Sequence, residues 1–249
     1  GTARPCIDGL QAKYFHWPLL EEKLKPLAWA KLFANNNIVK RFIELSEIVY
    51  IPSNALLPLA IIARHVKPHA KIVVHIHDYQ PISFNSIVFP DTRETDATEV
   101  MLELRDHHSL ARAIAAGLLA PVNRINVVAL MHADRIIFVS KRQREIIVER
   151  LPWARGKAVL VPNPLPETRW AKKNPSNTPT FLYMGGSSLV KGFQLVAKAG
   201  LICAREHPGI RITITNFLSD KAKQVINELN RQCKIFEALG RIDRKEVLE

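Results

Sequence analysis

Five prolines fall within residues 162–179, PNPLPETRWAKKNPSNTP: Pro162, Pro164, Pro166, Pro175 and Pro179. Each fixes its own φ and removes a backbone donor, so the stretch can enter neither a helix interior nor the middle of a sheet. It carries little apolar content and reads as an extended linker. The expectation is therefore an N-terminal domain over residues 1–163, a linker over 164–179 and a second domain over 180–249. A chain of 249 residues has room for two domains of modest size.

On both sides of the linker, strands alternate with helices. Leu19, Leu20, Leu24, Leu27 and Leu32 predict a helix over 19–33. Ile48–Pro52 reads as a strand, Ser53-Asn54 as a turn, and Ala55–Val66 as a buried helix with Pro58 in its first turn. Lys71–His77 follows as a strand. Its Val73-Val74 pair lacks polar alternation, which predicts burial on both faces. A long loop over 79–97 leads to a mostly helical region, 98–132, broken near Pro121. Then come a strand at Asp134–Val139, a helix at Lys141–Arg150 and a strand at Ala158–Val161. After the linker the pattern restarts: strand 180–184, helix 191–206, strand 210–215, helix 219–231, a strand near 234–237 and a helix from about 243. Such alternation predicts α/β architecture with parallel sheets in both halves.

Three stretches carry chemistry. FLYMGGSSLVKGFQLVAKAG, residues 181–200, takes an apolar strand through Gly185-Gly186 and Ser187-Ser188 to Lys191-Gly192 and then into an apolar-periodic helix. Glycines permit close backbone approach, and the first N–H groups of the helix, with its dipole, favour an anion. Ser187 and Ser188 can cap the helix or donate to a phosphate oxygen, and Lys191 adds a full positive charge. An ordinary tight turn with a solvated lysine accounts for the same spacing. Two phosphate loops are excluded. Lys191-Gly192-Phe193 is not the Gly-Lys-Ser/Thr of a Walker loop, and no G-x-G-x-x-G is present.

In KIVVHIHDYQPI, residues 71–82, His75 and His77 share one side of a strand, and His77-Asp78 stand at its carboxyl end. Ligands of open parallel sheets sit at that edge. His77 reads as a structural histidine, as a contact for sugar or acceptor, or as half of an H-x-H metal pair. No further histidine cluster lies on nearby strand ends, so no metal site is expected. In ADRIIFVSKRQREII, residues 133–147, a buried strand runs to Ser140 and a basic helix. Ser140 reads as a helix cap rather than a nucleophile, because no G-x-S-x-G surrounds it.

Net charge is +12, which suits a nucleic acid, an anionic membrane face or a phosphorylated substrate, or is simply a basic surface. Aromatics make up 7% and no nucleic-acid-binding motif occurs, so nucleic acid is not expected as a partner. Cys6, Cys203 and Cys233 are odd in number and widely spaced, which predicts a reducing, cytoplasmic compartment. GTARPCIDGL does not read as a signal peptide, and no window holds the roughly 18 uninterrupted apolar residues of a membrane helix.

Taken in order, these stretches resemble glycosyltransferase family 4, the retaining GT-B transferases. SEIVYIPSNALLPLAIIARHVKPHAKIVVHIHD (46–78) looks like that family's strand–helix–strand ending in His-Asp. ADRIIFVSKRQREII looks like its aspartate, strand, serine and basic helix. VLVPNPLPE (159–167) is similar to its domain crossover, FLYMGGSSLVKGFQLVAKA to its Gly-Arg…Lys-Gly element, and FEALGRIDRKEVLE (236–249) to a later apolar-Gly-x-apolar segment. The resemblance covers residues 46–249.

The resemblance implies a GT-B-like α/β fold of two Rossmann-like domains facing across a cleft, the second incomplete at Glu249. It implies sugar transfer of hexosyltransferase type from a nucleoside diphosphate sugar, a co-substrate rather than a cofactor, without a metal. The acceptor would be a lipid, glycan or protein, met at the cytoplasmic side or peripherally at an anionic inner membrane face. His77 and Asp78 would stand at the catalytic edge. Gly185, Gly186, Ser187, Ser188 and Lys191 would hold the diphosphate, and Arg241 to Asp243 would lie near the base. Three departures stand out. Gly186 replaces the family's arginine, RITITNF (211–217) lacks the usual glycine turn, and the glutamate-bearing donor motif does not occur before Glu249. They keep open a non-catalytic binding protein of the same fold.

Overall fold

A computed structural model describes residues 6–7, 10–11, 25–34, 37–88, 95–107, 109–164, 178–187 and 191–242. The chain divides into two compact units, one holding Ser109–Asn163 and most of what precedes it, the other holding the residues from Pro164 onward.

In the first unit, a short antiparallel pair, β1 (Cys6–Ile7) and β2 (Leu10–Gln11), precedes helices α1 (Lys25–Ala34) and α2 (Asn37–Glu44). The main sheet is parallel and four-stranded, in the order β3 (Ile48–Ile51), β4 (Lys71–Ile76), β5 (Arg135–Phe138) and β6 (Ala158–Leu160). Between β3 and β4 runs α3 (Leu59–Val66). Between β4 and β5 run α4 (Asp96–His107), α5 (Leu110–Leu119) and α6 (Arg124–His132), and α7 (Lys141–Arg150) joins β5 to β6. One face of the sheet carries the core. Val49, Ile51, Ile72, Val74, Ile76, Ile136 and Phe138 pack there with Ala60, Ile62 and Ala63 of α3, Ala129 and Leu130 of α6, and Ile147 of α7. Burying a side chain of this size contributes about 1.5–3 kcal/mol.

The other face corrects an expectation. β4 is not buried on both sides: Ile72, Val74 and Ile76 are buried, but Val73 and His75 are only half-buried and Lys71 is exposed. Ile48 and Tyr50 of β3, which share that second face, are exposed as well. The adjacent valines therefore mark strand propensity, not a doubly covered strand.

Local chemistry sets several element ends. The helix expected over 55–66 is split into a 3₁₀ turn, Asn54–Leu56, and α3. An α-helix from Ala55 would need the N–H that Pro58 lacks, so the first turn closes instead through Leu57 N–H to Asn54 O at 3.2 Å. The region 98–132 breaks twice. A 3₁₀ turn, Ala120–Asn123, holds Pro121 as expected, and a second break lies before α5, where the Ser109 side chain accepts from Arg112 N–H. Leu110–His132 forms a helical stretch of 23 residues holding an 18-residue window of mean hydropathy 1.6, long and apolar enough by composition to cross a membrane. Its α6 half, however, contributes Ala129 and Leu130 to the first core, which is what a sheet-covering helix does. Of the helix expected over 19–33, residues 19–24 lie outside the described residues.

Asp134, just before β5, is a structural clasp. Its Oδ2 accepts from Ile72 N–H and from Arg64 Nη2, each at 2.8 Å. Burial pushes its carboxyl pKa up, but the Ile72 bond and Arg64 outweigh that and hold it below its ordinary value.

In the second unit, a parallel three-stranded sheet runs β7 (Thr180–Tyr183), β8 (Arg211–Thr215), β9 (Phe236–Gly240), in that order. Helices α8 (Phe193–Glu206) and α9 (Asp220–Cys233) connect them. Their apolar stripes meet the sheet in a second core of Phe193, Ile212, Ile214, Ala222, Ile226 and Phe236. Gly200 of α8 lies so close to the sheet that a Cβ there would come within 2.4 Å of the Phe236 ring. β9 begins two residues later than expected, because Lys234 closes α9 in the left-handed region at φ 48°. The segment from 243 onward, read as a helix, lies outside the described residues.

Candidate functional site

The carboxyl edge of the first sheet places His77 and Asp78 directly after β4. His77 is exposed, with its ring stacked at 4.3 Å on that of His75. His75 in turn shares a 2.7 Å hydrogen bond between its Nδ1 and the Tyr50 hydroxyl. Burial, and secondarily His77, hold the His75 imidazole below its ordinary pKa, so its neutral form is favoured. Among the described residues, no group of three or more His, Cys, Asp or Glu is placed to hold a metal ion.

Asp78 turns one carboxylate oxygen and its carbonyl to the corner itself. Its Oδ1 accepts from Gln80 N–H at 2.7 Å and from Asn54 Nδ2, and its carbonyl accepts from Gln143 Nε2 at 3.1 Å. This is an Asx-type turn braced by two amides. The same loop is held further on by a residue the sequence reading missed. Glu99, in the first turn of α4 and only 4% exposed, accepts Phe84 N–H on one oxygen at 2.8 Å and Asn85 N–H on the other at 3.0 Å. Buried Asn123 donates to Gln80 O at 2.7 Å and is itself held by Asn126 at 2.8 Å. Behind the loop lies a cleft of about 640 Å³, lined among others by Ile82, Phe84, Glu99, Arg124 and Leu151. The loop is therefore strapped by hydrogen bonds over this hollow, while its Tyr79 and Ile82 pack against the first core. The sequence marks Asn123 and Asn126 only as polar residues in the apolar run 110–132, and Glu99 sits unmarked in a charged helix. Ser140 caps α7, as expected, by accepting Gln143 N–H at 3.1 Å.

At the second sheet's carboxyl edge, the turn after β7 brings Gly185, Gly186, Ser187 and Lys191 together. Ser188 and Asp243 lie outside the described residues. Gly186 adopts φ +64°, and a Cβ there would sit 2.8 Å from the Phe217 carbonyl oxygen. The residue that replaces the family's arginine is thus required to be small by the neighbouring turn. Ser187 Oγ accepts Ser219 N–H at 3.1 Å, so it braces the β8–α9 junction rather than capping α8. Its own hydroxyl proton stays available to donate. α8 opens at Gly192, with φ +80°, and has no side-chain cap and no acidic residue in its first turn. Lys191, immediately before it, is exposed. Helix amides that no side chain among the described residues caps, next to an ammonium group, form an electropositive corner.

The same edge opens into a cleft of about 950 Å³. Met184 after β7, Asn216 and Phe217 after β8, Asn227 of α9, and Gly240 and Arg241 at the end of β9 line it. Asn216 supplies, at φ +81°, the left-handed bend that the sequence reading missed when it looked for glycine. Its side-chain oxygen accepts Phe217 N–H at 2.8 Å, and the Phe217 ring is 74% exposed. A flat aromatic surface, two carboxamides and a guanidinium suit a planar, polar ligand.

Two parallel sheets of this construction define the class: α/β, with the candidate site at carboxyl strand ends. Solved structures similar to the chain include GT-B glycosyltransferases. The chain is similar to WaaB, a lipopolysaccharide outer core galactosyltransferase (17% identity, TM-score 0.52, covering 91% of this chain and 52% of that one). It is similar to a UDP-forming trehalose-phosphate synthase from Burkholderia xenovorans (12%, TM-score 0.54, 93% and 58%) and to a TarM mutant from S. aureus bound to UDP (13%, TM-score 0.52, 79% and 34%). The chain thus spans from about a third to under two thirds of the length of these proteins. At such identity the likeness establishes the fold. No protein-family model matches the chain, and no curated protein does.

Proposed function

We propose that the chain is part of a retaining glycosyltransferase of family 4 type, moving a sugar of hexose type from a nucleoside diphosphate sugar to a lipid, glycan or protein acceptor. One observation carries this reading: the first turn of α8 has no side-chain cap among the described residues and stands beside exposed Lys191. The diphosphate would lie against those amides and the lysine, with Gly185 to Ser188 alongside. The base would enter the cleft near Phe217 and Arg241, towards Asp243. Charge growing on the leaving diphosphate would be met by fixed dipoles and a cation, so the reading calls on no metal and no cofactor. His77, exposed at the first sheet's edge, would meet the acceptor. Asp78, with Oδ1 and its carbonyl bound to the corner, would act by holding His77 in place. A net charge of +12 would favour work at an anionic, cytoplasmic membrane face.

The test is a melting experiment with UDP, ADP, GDP and their sugar conjugates. At least one should stabilise the protein in proportion to occupancy, and Lys191→Ala should diminish the shift. No shift with any nucleotide, or an undiminished shift in Lys191→Ala, would sink the reading. A second reading, a binding protein of this fold without turnover, is favoured by Gly186 and by the committed Asp78. Nucleotide binding without release of nucleoside diphosphate from its sugar conjugate, in the presence of acceptor extract, would select it.

A further inference from the structure

We propose that Tyr183 is a positioning residue for Lys191, its hydroxyl fixing the main chain from which the lysine reaches the diphosphate. The proposal rests on the nucleotide-binding reading above. Tyr183 is the last residue of β7, and its hydroxyl donates to the Lys191 carbonyl oxygen at 2.9 Å, across the whole glycine turn. Its ring lies over Gly185. A Cβ at 185 would come within 2.3 Å of the Tyr183 hydroxyl oxygen and 2.4 Å of its Cζ. Glycine at 185 is therefore explained by the tyrosine that crosses it, as Gly186 is explained by the Phe217 carbonyl.

The turn is pinned at both ends. Ser187 ties its first half to Ser219, and Tyr183 ties its last residue back to the strand. Burial raises the Tyr183 pKa above its ordinary value of 10, which keeps the hydroxyl a neutral donor at any working pH. From Lys191 onward the chain is set by α8: Leu195 and Val196 N–H both return to Gly192 O, at 2.9 and 3.0 Å. The tyrosine bond thus adds a tie from the strand to the hold that α8 has on the lysine's main chain. A flexible four-carbon side chain binds an anion more tightly when its root is fixed beforehand, because less freedom is lost on binding.

The test compares wild type, Tyr183→Phe, Lys191→Ala and the double variant, titrated calorimetrically with UDP and with inorganic pyrophosphate, at up to millimolar ligand. Phenylalanine keeps the ring over Gly185 and removes only the tether. Tyr183→Phe should weaken both ligands by about three- to tenfold, the worth of one hydrogen bond. In the Lys191→Ala background the same change should cost about onefold, since there is no ammonium left to position. Wild-type affinity in Tyr183→Phe, or an equal loss in both backgrounds, overturns the proposal and leaves the nucleotide reading intact. If wild type binds neither UDP nor pyrophosphate, the nucleotide reading fails, and the proposal falls with it.

Discussion

At the end of β4 the chain leaves its sheet through a corner tied by side chains: Asp78, Asn54, Gln143, Asn123 and Glu99 each hold a specific atom of the loop. At the end of β7 it leaves through glycines, and close backbone approach does most of the holding, with Ser187 and Tyr183 as the two side-chain ties. The first corner ties Asp78 Oδ1, Gln143 and Glu99 to its own backbone and presents an exposed ring, His77. The second leaves the first turn of α8 uncapped by any side chain and adds a cation. Electrostatic readiness for an anion therefore belongs to the second corner, and rigidity of shape to the first.

The contrast can be broken most sharply at Glu99. Replacing it with alanine leaves Phe84 and Asn85 N–H without their acceptor, at about 1–3 kcal/mol for each buried unpaired group. Glu99→Ala should therefore destabilise the protein by about 2–4 kcal/mol, and hydrogen exchange should rise first in peptides covering 79–88. Unchanged exchange there would mean that apolar packing, not the carboxylate, shapes the first corner. The second corner should fail differently. Gly186→Ala forces a side chain into the left-handed region and against the Phe217 carbonyl, and should cost about 1–3 kcal/mol. Its exchange should rise in both the 184–187 and 216–219 turns, because each is the other's wall. A smaller loss, about 1 kcal/mol, is expected from Ser219→Ala. There the cap on Ala222 N–H is lost, while the Ser219 backbone bond to Ser187 survives. Urea midpoints would rank the three.

How much of this was legible in the sequence follows from what kind of force acts where. The parallel strands, the helices between them and the Ser140 cap were readable because apolar periodicity and cap chemistry are local. The Gly185-Gly186 turn was also readable, but the reason for each glycine was not: Tyr183 is two residues away, whereas Phe217 belongs to another strand end. Glu99 and Asn123 were invisible as site residues. Their partners, Phe84, Asn85 and Gln80, are brought to them by the fold. The second face of the first sheet was misread for the converse reason. Val73-Val74 reports β propensity, and propensity does not say whether anything covers the strand.

The subtlest expected effect again sets the first corner apart. His75 is held below its ordinary pKa of 6.5, first by burial and then by His77, so the folded state resists protonation that the unfolded state accepts. Between the lower folded value and 6.5 the unfolded chain binds more protons, and stability must rise with pH through that window. The contribution is complete above about pH 6.5 and is lost as pH falls through the folded value. Asp134 cannot be mistaken for it, because that carboxyl is held below its own ordinary value of 3.8, and its loss begins only in stronger acid. Urea midpoints at pH 7.5 and pH 5.5 should therefore differ, and His75→Gln should narrow the difference. A wild-type midpoint that does not move over this range, or moves equally in His75→Gln, would show that the stacked pair beside Tyr50 stores no proton-linked stability and that the first corner is held by its amides and carboxylates alone.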